Sequence, residues 1–380
     1  MKHISLKLII IFYALLALVS CGSGSASSVS VDGRDVTMHY AKLLTMKQCE
    51  GYIYVEIKNP WAGSDGILHS YILIDKDAEK PAHLPKGDII RIPVTSSAVY
   101  TSVHCSLVDQ LGAYESIKGI ADLKFIYLDK IHKDCASGKI RNLGEALSPN
   151  IEAIIDLSPE AILLSPFQNG GTYGRVTKLG IPVVECADYM ETSPLGRAEW
   201  MRFYGILYGK SNEADSIFNA VVSQYNELKA KVSKTKDKPT VFMDLKYGMV
   251  WYVPGGNSTV GIMLADAGAD YIYKEREESG SVPLDPEVVF DRVIDGKYWL
   301  IKYNQDTDKT YEEIAAEYPN YSRLSAFRNK NVYACNLSGV PYYEEVPFHP
   351  DILLKDYIKI FHPDLLPDYK TRYFKRVVDN

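Results

Sequence analysis

Residues 211–232, SNEADSIFNAVVSQYNELKAKV, determine how the rest of the chain is organised. From Ala214 to Val232, apolar side chains recur every three or four residues, which is the period of one face of an α-helix. Ser211 is a suitable N-cap, and Glu213 follows in the first turn. A helix of this length would measure about 33 Å at 1.5 Å per residue. The segment therefore predicts a long, stiff connector that ends in the polar stretch before Pro239.

Strand-like and helix-like segments alternate on both sides of this connector. Helices are predicted before it at 102–111, 150–157 and 173–179. Short strands are predicted at 125–127, 161–165 and 181–185, and after the connector at 240–244. This alternation is typical of a parallel sheet with helices on its faces. Further upstream, β-branched and alternating segments predict a β-rich extension, with strands at 52–57, 70–74 and 89–94.

The two α/β regions repeat each other in order. The matching pairs are 107–113 with 263–269, 152–156 with 287–291, and 161–164 with 298–301. Each copy runs from a helix that ends in glycine to a glutamate-led helix and then a buried strand. Such repeats favour two related lobes, and ligand sites lie preferentially in clefts between domains. The predicted fold class is therefore α/β: two Rossmann-like lobes joined by a single long rigid helix, with an N-terminal β-rich extension.

The first residues have the character of an export signal. Lys2 and Lys7 precede an apolar run at 8–19, which is too short to span a bilayer. The run ends at Cys21, and the glycine- and serine-rich residues that follow suit a flexible tether. This arrangement resembles a bacterial lipobox, in which Cys21 becomes the lipid-modified N-terminus. The alternative is an ordinary signal peptide that happens to carry a cysteine. We expect a membrane-anchored lipoprotein that faces the periplasm in the cell envelope.

These patterns divide the chain into consecutive segments. We predict a signal peptide at 1–20, lipidated Cys21 with a tether to 38, the extension at 39–88, an N-lobe at 89–192, connecting helices at 193–238, and a C-lobe with a C-terminal helix at 239–380. The net charge of −6 comes from 42 Lys and Arg against 48 Asp and Glu, which disfavours nucleic acid as a partner. Tyrosine is abundant, with 28 residues against 11 Phe and 4 Trp. Its apolar ring and polar tip suit surfaces that hold large, partly polar ligands, although compositional drift explains the count equally well.

Several strings in the sequence resemble a known family. They are SPLGRAEW at 193–200, WYVPGGNS at 251–258, LADAGADY at 264–271, GSVPLD at 280–285 and DYIKIFHPDLLP at 356–367. With the lipobox and the long connector, they resemble the substrate-binding lipoproteins of ABC importers for ferric siderophores, haem and cobalamin, within the periplasmic binding protein family. The resemblance implies a helical-backbone binding protein with a shallow cleft, a metal-chelate ligand, and ABC permease and ATPase subunits as partners. It also implies a monomer that reaches the membrane through its lipid anchor.

Four loops supply the candidate ligand-binding residues. They are Ser96, Ser97 and Tyr100 in 93–101; Gln168, Asn169 and Tyr173 in 167–173; Tyr247, Trp251, Tyr252 and Asn257 in 247–258; and Tyr342 and Tyr343 after Gly339. Hydroxyl groups and free helix N–H groups suit an anionic or carbonyl-bearing ligand, and aromatic faces can stack on a planar one. Each loop also has a plain structural interpretation, as a helix cap, a turn or part of the core.

Catalytic and metal-binding motifs are absent from the sequence, which contains no G-x-S-x-G, Walker or H-E-x-x-H string. We therefore expect no enzymatic activity, no resident cofactor and no protein metal site. A prechelated metal, held by its organic shell, fits the aromatic and hydroxyl loops better than direct ligation by His104, His349 or Tyr100. For docking to the permease, the resemblance implies one carboxylate per lobe, for which Asp109 and Asp266 are the candidates. Solvated helix faces are the alternative for these two.

The predicted function is capture of a metal chelate, a ferric siderophore first, between the lobes and its delivery to an ABC importer. The alternatives within binding proteins are a cobalamin or haem carrier, or a surface lipoprotein that scavenges without a permease. An enzyme on a related two-lobed metallocluster scaffold is a further class, and it would require Cys or His ligands that face the cleft.

Overall fold

A computed structural model describes residues 31–61, 66–167 and 174–379. The predicted signal peptide, Cys21 and the first part of the tether lie outside these residues. Within the described ranges, no helix combines the length and the apolar character needed to cross a bilayer.

The N-terminal extension is a β-sheet that packs on the edge of the first lobe. Its strands are β1 (Arg34–Val36), β2 (Leu44–Cys49), β3 (Tyr52–Lys58), β4 (Ile67–Asp75) and β5 (Asp88–Ile92), in the order β1-β2-β3-β4-β5. The β4–β5 pair is parallel and the others are antiparallel. The sheet therefore begins inside the predicted tether, and its last strand, β5, lies almost entirely within the predicted N-lobe. The hydroxyl of Tyr71 on β4 donates to the carbonyl of Val183, which joins the sheet to the lobe.

The N-lobe is a parallel sheet with short helices. Its strands are β6 (Ser97–Val99), β7 (Ile117–Ile120), β8 (Arg141–Asn142), β9 (Gly144–Glu145), β10 (Ser148–Pro149), β11 (Ala161–Leu164) and β12 (Val183–Glu185). Its α-helices are α1 (Ser102–Gln110), α2 (Asp129–Ala136) and α3 (Ile151–Leu157), and 3₁₀ turns lie at Tyr114–Ser116, Leu123–Phe125, Val176–Leu179 and Ala187–Met190. The main sheet has the order β12-β11-β6-β7-β8, and a small hairpin pairs β9 with β10.

Two N-lobe predictions are corrected by the structure. The strand predicted at 125–127 is wrong, because the chain forms a 3₁₀ turn at Leu123–Phe125 and the strand of this region is β7. Gly119 interrupts the apolar pattern of β7, and the structure leaves no space for a side chain there, since a Cβ would lie 2.6 Å from Leu157 Cδ2. The helix predicted at 173–179 is only the 3₁₀ turn at Val176–Leu179 in the described residues.

The connector and the C-lobe follow the predicted plan. The connecting helices are α4 (Pro194–Glu199), α5 (Met201–Leu207) and α6 (Ser211–Val232). The C-lobe strands are β13 (Thr240–Met243), β14 (Lys246–Tyr247), β15 (Val250–Pro254), β16 (Asp270–Tyr271), β17 (Ser281–Leu284), β18 (Tyr298–Tyr303), β19 (Val332–Asn336) and β20 (Lys375–Arg376). Its helices are α7 (Thr259–Asp266), α8 (Pro286–Val293), α9 (Tyr311–Glu317), α10 (Ser325–Arg328), α11 (Tyr342–Glu345) and α12 (Pro350–Phe361), with 3₁₀ turns at Pro319–Arg323 and Pro363–Leu365.

The long helix α6 has 22 residues and buries the predicted apolar stripe. Its buried side chains are Ala214, Phe218, Val221, Tyr225, Leu228 and Val232. Ser211 is its first residue and not its cap, since Lys210 occupies the N-cap position and makes no side-chain capping bond. The single long connector between two α/β lobes is confirmed.

The internal repeat is confirmed by the order of the strands. The N-lobe sheet contains β12-β11-β6-β7, and the C-lobe sheet contains β19-β18-β13-β16, so equivalent strands occupy equivalent places. Helices α1 and α7 are each followed, directly after the C-cap residue, by a glycine, Gly112 and Gly268, whose φ angles are +72° and +74°. Both glycines therefore adopt the left-handed conformation that terminates helices, and the matching sequences reflect the same local geometry.

Substituting the two repeat glycines separates backbone strain from crowding. Gly112→Ala is expected to lower the free energy of unfolding by about 1 kcal/mol, since a left-handed alanine is strained but the site is open. Gly268→Ala should cost about 2 kcal/mol, because its Cβ would also lie 2.4 Å from Val232 Cγ1. Urea denaturation of both variants measures the difference. Equal losses would contradict the role of the α6 contact.

Two buried carboxylates, Glu191 just before α4 and Glu199 at its end, hold the segment between β1 and β2 in place. Glu199 accepts hydrogen bonds from the backbone N–H groups of His39, Tyr40 and Ala41, at 2.8, 2.7 and 2.8 Å. Glu191 accepts those of Lys42 and Leu43, at 2.9 and 2.8 Å, and also the indole N–H of Trp200. Burial raises the pKa of Glu191, although these donors oppose the change. We call residues 39–43 with Glu191 and Glu199 the N-terminal clasp.

Candidate ligand-binding cleft

A cleft of about 850 Å³ opens where the C-lobe strands end. Its walls come from the segments that follow β13, β18 and β19, from the start of α7, and from α4 of the connecting region. Because parallel strands present their carboxyl ends at one edge of a sheet, these segments meet there and form a concave surface. Among the described residues, the connecting region contributes Arg197, and the rest of the lining belongs to the C-lobe.

Aromatic side chains form the rim of this cleft. The hairpin of β14 and β15 carries Tyr247 and Tyr252, which are 82% and 45% exposed, and α11 carries Tyr343, which is 58% exposed. Tyr342 lies beside Tyr343 with the rings edge to face and is almost buried. Exposed aromatic side chains grouped around a concavity are typical of a binding surface for a ligand with apolar faces.

The floor of the cleft is polar and charged. Lys302 at the end of β18 donates to Asp244 after β13, with an Nζ–Oδ1 distance of 2.7 Å. Burial would lower the pKa of Lys302, but the Asp244 carboxylate outweighs this effect and raises it above its ordinary value. Hydroxyl and amide groups of Ser258, Thr259 and Asn304 also line the cleft. The floor therefore offers donors and acceptors beneath the aromatic rim.

A second, smaller cavity of about 410 Å³ lies at the carboxyl ends of β6 and β11 in the N-lobe. Its lining is mainly apolar and includes Leu147, Leu164, Phe167 and Val176. Tyr100 also lines it, and no described residue provides a hydrogen-bond partner for its buried hydroxyl. Burial raises the pKa of Tyr100 to about 12. The hydroxyl is therefore neutral at physiological pH and available as a donor.

The two lobes touch through α11, which packs against α1. The side chain of Glu344, which is 3% exposed, accepts a hydrogen bond of 2.8 Å from the backbone N–H of Tyr127 in the N-lobe. His349 contacts Gln110 across the same interface, with 2.7 Å between Nε2 and Oε1. The ring of Phe348 packs edge-on against His104, with centroids 5.9 Å apart. Burial raises the pKa of Glu344 to about 7, with Glu345 adding to this effect and the Tyr127 N–H opposing it.

The structure brings only part of the predicted ligand-binding set to the cleft. Tyr247, Tyr252, Tyr342 and Tyr343 line it, and Tyr100 lines the smaller cavity. Gln168, Asn169 and Tyr173 lie outside the described residues. Asn257 is exposed beside the cleft, where its side chain donates to the carbonyl of Glu277.

The expectation for Trp251, Ser96 and Ser97 is corrected. Trp251 is fully buried and donates its indole N–H to the carbonyl of Met243, so it belongs to the C-lobe core. Ser97 is also fully buried, and its hydroxyl donates to the carbonyl of Ser116. Ser96 and Ser97 lie at the start of β6, whereas ligand-facing loops follow the carboxyl ends of strands. The predicted loop was in fact a strand of three residues.

The two predicted docking carboxylates already have partners within the chain. Asp109 forms an ion pair with Lys130. Asp266 accepts from the Tyr225 hydroxyl at 2.8 Å and pairs with Lys229 at 2.7 Å. Their positions also differ in the repeat, because Asp266 lies two residues before its helix-ending glycine and Asp109 lies three before it. Gln110 is the true counterpart of Asp266. Permease docking through these carboxylates stays a prediction.

Sequence reasoning missed the basic residues of the cleft. Arg197 lies in SPLGRAEW, a string noted only for its resemblance, and its role depends on where α4 meets the C-lobe. Lys302 comes directly after the buried apolar residues of β18, and a charged residue at that place in the sequence could have indicated a functional position at the end of the strand.

Within the described part of the chain, no group of three or more His, Cys, Asp or Glu side chains is placed to hold a metal ion.

Comparison with known proteins agrees with this architecture. Residues 98–337 match the profile of the family described as periplasmic binding protein, and β1–β5 precede the matched region. An uncharacterized lipoprotein of Methanocaldococcus jannaschii is 30% identical over 84% of this chain and 80% of its own length.

Solved structures show the same fold at lower sequence identity. A periplasmic haem-binding protein from Pseudomonas aeruginosa has a TM-score of 0.58 at 14% identity and covers 76% of this chain and 99% of its own. A protein of an ABC-type Fe³⁺-hydroxamate transport system from Saccharomonospora viridis has a TM-score of 0.53 at 18% identity, covering 71% and 94%. The strand order, the long connecting helix and the matched profile together lead to one conclusion: the chain belongs to the periplasmic binding protein family.

Proposed function

We propose that the protein is the substrate-binding component of an ABC importer, which captures a metal chelate, in the first place a ferric siderophore, and delivers it to the permease. The main observation that supports this proposal is the cleft of about 850 Å³, with exposed tyrosines at its rim and a polar, cationic floor. An organic metal complex presents apolar or aromatic faces together with oxygen atoms, and this lining matches both. The family membership and the iron- and haem-related structural relatives support the same interpretation.

The cleft is better suited to a prechelated metal than to a free ion. The described residues offer tyrosine hydroxyls, lysines and amides there, and the acidic side chains Asp244 and Glu317 are each engaged by a lysine. A free cation prefers clustered carboxylate, imidazole or thiolate ligands. A complex whose metal is already coordinated needs only stacking and hydrogen bonds from the protein.

The experiment is a binding titration of the purified mature chain by intrinsic Trp and Tyr fluorescence. Ferric siderophores, haem and cobalamin are titrated separately, and each bound complex is checked by its own absorption band. We expect saturable quenching at a 1:1 ratio by ferric chelates. If haem or cobalamin binds and the ferric siderophores do not, the substrate is that complex and not a ferric siderophore. If no complex binds, the proposed function is contradicted.

The aromatic rim predicts a defined loss of affinity. The double substitution Tyr247→Ala and Tyr252→Ala should weaken chelate binding about 10-fold, since each aromatic contact contributes about 0.5–1.5 kcal/mol. Met249→Ala is the matched control, because Met249 lies on the same hairpin and is exposed without lining the cleft. Calorimetric titration measures all three proteins. An equal loss in the Met249 variant would show that the hairpin conformation, and not the rings, is responsible.

A further inference from the structure

The charge of the cleft is opposite to that of the protein as a whole. The chain carries a net charge of −6, whereas the cleft lining contains Arg197, Lys246, Lys302 and Lys309 against Asp244 and Glu317. A concave site lined by one excess sign of charge concentrates ligands of the other sign. The lining therefore favours a negatively charged ligand even though the surface as a whole repels one.

The three lysines of the lining are already engaged by the protein. Lys302 pairs with Asp244 and Lys309 with Glu317. Lys246 donates to the carbonyl of Gly248 at 3.1 Å and lies over the ring of Tyr318. Each of these lysines still contributes positive electrostatic potential to the cleft, but its position is fixed by the partner that it already has.

Arg197 differs from the lysines because only one edge of its guanidinium group is used. Its Nε donates to Asp188 Oδ2 at 3.1 Å. Among the described residues, none accepts a hydrogen bond from its Nη1 or Nη2. The side chain is 22% exposed and lines the cleft, so its unused donors are accessible to a ligand.

A buried network fixes the orientation of this guanidinium group. Asp188 is 1% exposed, and its other oxygen accepts from the Tyr204 hydroxyl at 3.1 Å and lies 3.0 Å from His104 Nε2. The opposite ring nitrogen of His104 contacts the Thr101 hydroxyl. Burial would raise the pKa of Asp188, but His104 and Arg197 outweigh it and hold the pKa below its ordinary value. Asp188 is therefore ionised, and it holds Arg197 in place before any ligand arrives. Because the side chain is already ordered, binding loses less conformational entropy.

We propose that Arg197 determines the specificity of the cleft by binding an anionic oxygen group of the ligand, so that the protein selects negatively charged chelates over neutral ones. This inference rests on the proposed function and narrows its substrate class. A planar guanidinium fork forms two parallel hydrogen bonds to a carboxylate or a pair of catecholate oxygens. The oxygen atoms of an uncharged chelate carry less negative charge, so the complex gains less from the same donors.

The test compares two ferric complexes that differ in charge. A ferric tris-catecholate is anionic and a ferric tris-hydroxamate is neutral, and both enclose the metal in six oxygen atoms. For the mature wild-type chain, we expect tighter binding of the catecholate, with an affinity that falls as salt rises. Arg197→Gln should weaken catecholate binding by about 10–100-fold and change hydroxamate binding by less than about 3-fold. Arg197→Lys should restore only part of the loss, because an ammonium group has no fork.

Arg323→Gln is the matched control, because Arg323 is an exposed arginine on the C-lobe outside the cleft lining. It removes the same charge and should leave both affinities within about 2-fold of wild type. If the hydroxamate binds as tightly as the catecholate, or if Arg197→Gln weakens both equally, the charge selectivity is refuted while the proposed function stands. If neither complex binds, the proposed function fails and this inference with it. Thermal melting of each variant confirms that the protein measured is folded.

Discussion

Replacing Glu199 with alanine is expected to lower the free energy of unfolding by about 4 kcal/mol. Glu199 is fully buried and accepts three backbone N–H groups of the N-terminal clasp. Hydrogen bonds to a charged acceptor are each worth about 1.5–3 kcal/mol. Water can reach part of the released segment, since His39 is exposed, and this keeps the loss below the sum of the three bonds.

Urea denaturation and hydrogen exchange test this prediction together. The exchange protection of the amides of residues 39–41 should fall in the Glu199 variant by more than that of the β13 amides. Glu213→Ala is the control, because it removes an exposed carboxylate of α6 that pairs with Lys210, and it should change stability by less than about 0.5 kcal/mol. If the Glu199 variant is destabilised no more than this control, the clasp does not hold the extension to the connecting helices.

The parts of the fold that local pattern encodes could be predicted. The apolar stripe of α6 repeats over its whole length, so the helix and its buried face followed directly from the sequence. The repeat was detectable because Gly112 and Gly268 both adopt a positive φ angle, which favours glycine, and the residues before them form equivalent helices. Rules of period and capping act within a few residues, which is why the sequence reports them reliably.

The site depended on contacts that local pattern does not encode. Strand β6 has three residues, too few to show a period, so the sequence predicted a loop at 93–101 where the structure has a strand. Ser97 was therefore expected at the ligand-facing end of the sheet, whereas it is the first residue of β6. Trp251 and Tyr252 are neighbours on β15, and the alternation of a strand sends one into the core and the other to the cleft. Which of them faces outward depends on where the sheet lies. The pairing of Arg197 with Asp188 and of the clasp with Glu199 likewise requires the folded arrangement.

The contact between the lobes should make stability depend on pH through Glu344. Its pKa is raised to about 7 in the folded protein, mainly by burial, whereas a carboxyl group of the unfolded chain titrates near 4.5. Between these two values the folded state holds a proton that the unfolded state releases, so stability falls as the pH rises. A tenfold difference between the two acid dissociation constants corresponds to about 1.4 kcal/mol, and the loss attributable to Glu344 should reach roughly 2–3 kcal/mol above pH 7.

Glu344→Gln isolates this contribution, because the amide oxygen can still accept the Tyr127 N–H but cannot ionise. The variant should match the wild type at pH 5 and exceed it by roughly 2–3 kcal/mol at pH 8.5 in urea denaturation. Neighbouring groups that also titrate are common to both proteins and cancel in the difference: the pKa of Asp351 is raised to about 6 by burial, and burial lowers the pKa of His349.

Glu227→Gln serves as the control for the loss of a carboxylate, since Glu227 is exposed on α6 and pairs with Lys231. This variant should remain within about 0.5 kcal/mol of the wild type at both pH values. A difference between the Glu344 variant and the wild type that is the same at pH 5 and pH 8.5 would show that packing, and not ionisation, distinguishes them. A difference that grows with pH identifies Glu344 as a buried charge that weakens the contact between the lobes in alkaline conditions.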